Sequence, residues 1–422
     1  MNIANQMFNL MKLPQYVPLF KSKKVAVKGV GAVGSFLVEI LAMMGIGEIT
    51  CFDLDKVDPD NLAKCSGMVD PDTDVGRSKA HAVAEQAQKR MIPGGKCYGI
   101  DGDLRNYGPM VFAGYDAVFI ALDNYAAKDL SNQNILQIPV AQRPVIGMAG
   151  TSGESALAVL MNGEDFCLRC LFDESWLENS DVRTSCSGPQ YMQIDGVSER
   201  VRTSGLASLI AAAILAEKFR AWVLGDPNVM NTRTTYTPYP NLELLDTAPM
   251  RKRDCPDCRS FFPPETIRLL CGSVCDLTLE KTFAQITEAL GTEDFELQVH
   301  LMRFKELSYG GFITKEFCHH CGKPISVYAH ESRIHFEDVL CDECIAADHS
   351  AYYNSERPVG ESLRFFAPNM DDERLRSMTL FDLGYPIGAY LYAVRRNSCG
   401  DIQRYCFSCM GDQSIMKKIK EI

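Results

Sequence analysis

Two groups of residues in this sequence have the types and spacing to do chemistry: a glycine-rich turn followed by acidic and basic side chains, and cysteines arranged in CxxC pairs. Gly29-Val-Gly31-Ala-Val-Gly34 has the spacing GxGxxG. Glycines at those positions permit a tight turn and close approach of the backbone to an anion, and a helix starting there offers free N–H groups. Asp53 follows nineteen residues after Gly34, at the end of an expected strand, where a carboxylate can accept hydrogen bonds from a ribose. Taken alone, the turn fits an NAD-type dinucleotide, and hence an oxidoreductase, as well as it fits ATP. The 17 cysteines include the pairs Cys167/Cys170, Cys255/Cys258, Cys318/Cys321, Cys341/Cys344 and Cys406/Cys409. In a chain without a signal peptide such pairs point to metal ligation or reactive thiols rather than disulfides.

The elements that must position these residues are legible from hydrophobic patterning. Residues 24–150 alternate short apolar strands with helices, the pattern of a mainly parallel α/β sheet. Strands are expected over 24–28, 49–54, 96–100, 117–122 and 144–148, and helices over 35–44 and 79–90. Residues 151–260 read as two cysteine pairs, a polar loop and one helix over 204–224. Beyond Cys258 the texture changes to a helix over 277–290, an extended stretch over 295–304 and a strand over 389–395. The Phe-Phe-Pro-Pro at 261–264 marks a boundary, giving domains at 1–265 and 266–422.

Bulk properties narrow the functional classes. A net charge of −11 argues against a nucleic-acid partner, whose affinity rests on clustered Lys and Arg. The longest apolar run, 206–215, is about half the ~20 residues a membrane span needs. The first twenty residues lack the charged head and apolar stretch of a targeting peptide. The expectation is a cytoplasmic protein with no membrane segment.

Asp53-Leu-Asp55-Lys-Val57-Asp-Pro-Asp-Asn61-Leu62-Ala-Lys64 resembles the DxDxVxxSNLxR segment of the ThiF/MoeB/HesA superfamily, which includes ubiquitin-activating enzymes. Gly76-Arg-Ser-Lys79-Ala80 is similar to its GxxKA segment, and Ala121-Leu-Asp123-Asn124 to its TDN segment. With the glycine turn, these motifs run in order from Lys23 to Cys258. The resemblance implies a Rossmann-like adenylation domain that uses ATP and Mg²⁺. It places Gly29, Gly31, Gly34, Asp53, Asp55 and Asn61 at the nucleotide. Lys64 and Lys79 would neutralise phosphate oxygens, and Asp123 would hold Mg²⁺. Such residue types suit attack of a carboxylate on the α-phosphate of ATP, which needs charge neutralisation and alignment more than covalent help. The chain departs from the family in having Lys64 where Arg is usual, Cys65 for Gln, and Lys128 for the Arg after TDN. A lysine cannot make the bidentate fork of an arginine. Residues 1–23 contain no Arg to lend to a neighbouring subunit, and Arg77 is the candidate substitute.

The resemblance extends to zinc. Cys167 and Cys170 resemble the first half of the superfamily's zinc knuckle, with Cys255 and Cys258 as its distant partner. Cys318, Cys321, Cys341 and Cys344 have the spacing of a self-contained zinc ribbon, with His319 and His320 outside the ligand set. Cys271, Cys275, Cys399, Cys406 and Cys409 form only weaker patterns. In ubiquitin-activating relatives a loop after the first CxxC carries the cysteine that accepts the activated carboxyl, and Cys186 occupies the matching place. A structural role for Cys186 is the alternative. The C-terminal part has the texture of an α+β, β-grasp-like module with the ribbon inserted at 318–344; in relatives such a domain recruits a conjugating enzyme. The implied partners are a ubiquitin-like or sulfur-carrier protein ending in Gly, a conjugating enzyme if Cys186 forms a thioester, and a second copy in a homodimer. Two activities stay open, protein conjugation and sulfur-carrier activation, beside a non-catalytic adapter.

Overall fold

The computed structural model describes residues 16–62, 65, 69–171, 191–194, 197–200, 204–261, 263–304, 307–309, 311–325, 327–334, 337–346, 360–396 and 401–421. Lys64, Cys186 and Cys399 lie outside this set. Contacts divide the chain into two compact units, one comprising 1–104, 112–263 and 418–422, the other 105–111 and 264–417.

The first unit is built on strands β1 (Lys24–Lys28), β2 (Glu48–Asp53), β3 (Lys96–Asp101), β4 (Ala117–Ile120), β5 (Val145–Ser152), β6 (Ser155–Met161), β7 (Thr232–Thr237) and β8 (Glu243–Thr247). Their order in the sheet is β8-β7-β6-β5-β4-β1-β2-β3. The five strands from β3 to β5 are parallel, and β6, β7 and β8 extend the sheet antiparallel. Strands buried on both faces must be apolar throughout, and β4, Ala-Val-Phe-Ile, is buried at every residue. The strand order reverses between β1 and β4, the switch point at which open α/β sheets bind ligands.

Helices Ala32–Met43 and Gly205–Val223 share a core with β1 and β2 through Val25, Val27, Leu37, Leu41, Ile49 and Leu215. Phe119 and Phe219 meet edge to face at 5.1 Å. That fit needs Gly147, since a Cβ there would come within 2.5 Å of the Phe119 ring.

Two sequence expectations are corrected. The first helix begins at Ala32, not at residue 35, so Gly34 sits in its first turn. Residues 151–260 hold three strands of the main sheet besides the expected helix. β7, Thr-Arg-Thr-Thr-Tyr-Thr, reads as a polar loop by composition, yet its β-branched residues pair with β6 on one side and β8 on the other.

The second unit carries β9 (Ile267–Leu270), β10 (Glu296–Gln298), β11 (Phe365–Phe366), β12 (Leu391–Arg396) and β13 (Ile402–Cys409) in the order β9-β13-β12-β10-β11. β9 and β13 are parallel and the other pairs antiparallel. Helix Leu279–Leu290 starts where the Thr278 side chain accepts the Lys281 N–H and ends at Gly291, whose φ of 68° suits a left-handed cap.

Candidate nucleotide and metal sites

The glycine turn sits at the tips of β1, β2 and β4. Gly29, at φ 83°, donates its N–H to the Phe52 carbonyl at 2.8 Å. A Cβ on Gly29 would lie 2.8 Å from the Ala121 carbonyl oxygen, and one on Gly34 would lie 1.9 Å from the Gly29 carbonyl oxygen. The turn therefore closes only with glycine at both positions. Gly31 caps helix Ala32–Met43 with no side-chain hydrogen bond, and the first helical turn holds no acidic residue. Its leading N–H groups and dipole are thus available to an anion.

Asp53 fixes this turn. One carboxylate oxygen accepts the Val30 N–H at 2.8 Å and the other accepts the Asp55 N–H at 2.9 Å. Burial raises its pKa, opposed by the nearby Lys79 charge. Lys79, 3% exposed, opens helix Lys79–Gln88, and its ammonium lies 3.2 Å from Asp55 Oδ2. The Lys79 N–H also donates to the Asp55 carbonyl at 2.9 Å. Asp53 and Asp55, two residues apart, and the more distant Lys79 are therefore linked in one chain of contacts to the turn. Asn61 is buried in a short 3-10 turn, where its Oδ1 accepts the Asp58 N–H at 3.2 Å.

Asp123 lies three residues past β4, whose following residue Ala121 packs on Gly29. Asn124 donates to Asp123 Oδ1 at 3.4 Å and caps helix Tyr125–Leu136 by accepting the Ala127 N–H at 2.8 Å. In the same helix, burial brings Lys128 down to about 8, against the pull of Asp123. Arg77, the candidate substitute for an N-terminal Arg, is engaged by Asp74 at 2.8 Å and Glu85 at 2.6 Å. Those two pairs hold it within its own unit.

The sulfurs of Cys167, Cys170, Cys255 and Cys258 gather within 4.8 Å of one another, all four residues buried. Neighbouring sulfurs are 3.6 to 3.9 Å apart. A zinc–sulfur bond of about 2.3 Å sets a tetrahedral edge of about 3.8 Å, whereas a disulfide would require about 2.05 Å. The spacing fits a four-thiolate zinc site. The Lys252 N–H points at Cys170 Sγ at 3.4 Å, and Arg251 is held above its ordinary range chiefly by its hydrogen bond to Cys258. Both offset the negative charge four thiolates would bring.

A polar tie that the sequence reading missed joins this cluster to helix Tyr125–Leu136. Asn132 donates to Asp257 Oδ2 at 2.6 Å and accepts the Leu168 N–H at 3.0 Å, thereby gripping both CxxC segments. The signal was present as a run of polar residues, Ser131 to Asn134, all buried. Composition alone assigns such a run to solvent.

Cys318, Cys321, Cys341 and Cys344 form a second such group, of which Cys321 is exposed. Cys321 and Cys341 sulfurs are 3.6 Å apart, and Cys318 Sγ accepts the Cys341 N–H at 3.3 Å. Gly322, at φ 75°, gives the turn that closes the first pair. Among the described residues Cys271, Cys275, Cys406 and Cys409 join no third group. Cys406 and Cys409 lie in β13, where strand geometry sends residues three apart to opposite faces.

The model of the family described as "ThiF family" matches residues 4–260. A SUMO-activating enzyme subunit, uba-2, of Caenorhabditis elegans is 33% identical over 153 residues, covering 35% of this chain and 25% of that protein. The SAMP-activating enzyme E1 of Haloferax volcanii is 30% identical over 158 residues, covering 36% of this chain and 55% of that protein. The adenylyltransferase and sulfurtransferase MOCS3 of Mus musculus is 28% identical over 149 residues, covering 35% and 31%. The chain therefore spans between a quarter and about half of the length of these relatives. Among solved structures, E. coli MccB with succinimide aligns over 61% of this chain and 74% of that one, with 20% identity and a TM-score of 0.48. Among the described residues no helix is long and apolar enough to cross a membrane.

Proposed function

Because the chain belongs to the ThiF family, we propose that it adenylates the C-terminal carboxylate of a small ubiquitin-like or sulfur-carrier protein ending in Gly, using ATP. The observation that carries this reading is the convergence of Asp53, Asp55 and buried Lys79 on a turn that tolerates only glycine at positions 29 and 34. In this reading the helix beginning at Ala32 receives phosphate oxygens at its N-terminus. Asp53 orients the turn and accepts from the ribose. Lys79 and Lys64 offset charge on the phosphates, and Asn61 adds a hydrogen bond. A carboxylate oxygen of the carrier attacks the α-phosphorus; the new O–P bond forms as the bond to the bridging oxygen breaks, and pyrophosphate leaves with the electron pair. Asp123 would hold Mg²⁺, which when bound neutralises the departing charge.

Residues 1–265 would constitute the adenylation domain with its structural zinc on Cys167, Cys170, Cys255 and Cys258. Residues 266–422 would form a second domain with a zinc ribbon on Cys318, Cys321, Cys341 and Cys344. Two fates of the acyl adenylate remain distinct readings. Transfer to Cys186 as a thioester, then to a conjugating enzyme, is favoured by the presence of a second unit. Sulfur-carrier activation is the alternative, and a relative named an adenylyltransferase and sulfurtransferase supports it. The enzyme would act as a homodimer.

The test is ATP–pyrophosphate exchange that depends on a candidate carrier protein ending in Gly. Exchange with the carrier and none without it supports adenylation. ATP binding with no exchange under any carrier would leave a nucleotide-binding adapter. A reducible adduct lost in Cys186→Ala supports the thioester, and a thiocarboxylate product supports sulfur transfer.

A further inference from the structure

The residue immediately before the glycine turn is a buried lysine. Lys28 closes β1, and its side chain is wholly buried. Among the described residues its ammonium has no hydrogen-bond acceptor. Strand register sets it between Phe52 of β2 and Ile120 of β4. Its Nζ stands 3.6 Å from the centroid of the Phe112 ring, itself fully buried and 5.5 Å from the Phe52 ring. Alternation along β1 puts Lys28 on the sheet face opposite Val25 and Val27, which pack in the core shared with helix Ala32–Met43.

Leaving an amine in such a place is costly, since a buried polar group without a partner forfeits its hydration. A methionine or leucine would fill the volume at no such cost. Among the described residues, the groups facing Lys28 offer no compensating charge. On β2 they are Thr50, whose hydroxyl meets the Tyr115 phenol at 3.0 Å, and Phe52; on β4 they are Val118 and Ile120; and over the amine lies Phe112. The nearest acid along the strand ends, Asp53, spends both carboxylate oxygens on backbone N–H groups of Val30 and Asp55. Burial alone accordingly brings Lys28 down to about 7. The aromatic face favours the charged form, though by less than the lost water.

We propose that Lys28 is a positioning residue for the nucleotide, an amine that takes up a proton when the polyphosphate occupies the adjoining glycine turn and thereby ties binding to pH. This rests on the ATP-binding reading above. An anion at Gly29–Gly34 stabilises the ammonium through a poorly screened interior, and by linkage the ammonium strengthens binding of the anion. The proton comes from solvent and ends on Nζ; no bond to the nucleotide forms. The sign follows directly: binding is tighter below the free-state value, where the amine is already charged, and weakens as pH rises through it.

The experiment is calorimetric titration of the full chain with a non-hydrolysable ATP analogue, in buffers of differing ionisation enthalpy, on wild type, Lys28→Met and Lys28→Arg. If binding raises the amine's proton affinity tenfold, about half a proton is taken up near pH 7.5, and affinity falls by up to about tenfold between pH 6 and 9. Lys28→Met should lose that uptake and flatten that profile, and Lys28→Arg should flatten it while keeping tight binding at high pH. In nucleotide-free protein, wild type should gain stability relative to Lys28→Met as pH rises from 7 to 10, because the unfolded chain binds the extra proton there. Equal proton uptake in wild type and Lys28→Met would overturn the proposal while leaving the ATP site intact. No binding of the analogue by wild type would remove both the proposal and the reading beneath it. If Lys28→Met fails to fold, Lys28→Arg decides alone: proton uptake and a pH slope equal to those of wild type overturn the assignment.

Discussion

The glycine turn and the buried cysteine cluster occupy the same unit and were both visible as short motifs, but they are held in place by different means. The turn is assembled from neighbouring parallel strands: the Asp53 carboxylate accepts the Val30 N–H, the Gly29 N–H donates to the Phe52 carbonyl, and Lys79 pairs with Asp55. The cluster joins segments 88 residues apart, with Cys167 meeting Cys255 and Cys170 meeting Cys258. Closing that loop costs chain entropy, which a metal held by all four sulfurs would help to offset. The cysteine group at 318–344 shows the contrast from the other side. Its four cysteines lie within one short segment and Cys321 is exposed, so a chelator would have access to a metal held there. One region thus rests on charge and backbone geometry, whereas the other offers four sulfurs whose closure a zinc ion would secure.

The largest effect expected is at the turn. Lys79→Met should lower carrier-dependent ATP–pyrophosphate exchange by at least about a hundredfold while leaving zinc content unchanged, because it removes charge stabilisation of the reacting phosphates. Exchange within tenfold of wild type would show that Lys79 is only the structural partner of Asp55. Next in size, Cys255→Ser should abolish one zinc equivalent by elemental analysis and cost more than about 4 kcal/mol of unfolding free energy, judged by urea denaturation. A stable, zinc-depleted protein with normal exchange would erase the distinction drawn between the two regions.

Metal removal sharpens the comparison within the cysteine groups. On addition of a chelating dye, one zinc equivalent should leave quickly, from Cys318, Cys321, Cys341 and Cys344, and a second only on unfolding. Simultaneous release of both would contradict the difference in burial. The smallest effect is expected for Asn132→Ala, which removes the amide gripping Asp257 and Leu168 and takes a hydrogen bond from each. The cost should be about 1–3 kcal/mol, with zinc retained but released faster. No change in the release rate would mean that the cluster is held by its ligands alone.

Much of this protein could be read from the chain alone. The parallel strands announced themselves as apolar runs because both faces of such a sheet are covered, and the GxGxxG spacing marked where one of them turns into a helix. The ordered motifs around Asp53, Lys79 and Asp123 identified the family through local spacing, which folding does not alter. Cys318 to Cys344 could likewise be grouped from spacing. What the chain alone did not reveal depends on burial and on contacts between distant segments. β7 looked polar because threonines satisfy a strand through their branched Cβ and the backbone ladder rather than through hydrophobicity. Asn132 looked like a surface residue until the two CxxC segments closed around it. Lys28 could be read from the chain only as the last residue of a strand; its burial beneath the Phe112 ring, 84 residues further along the chain, belongs to the packed structure. Spacing is a property of the chain, whereas solvation belongs to the packed structure, and it is solvation that sets the charge on Lys28.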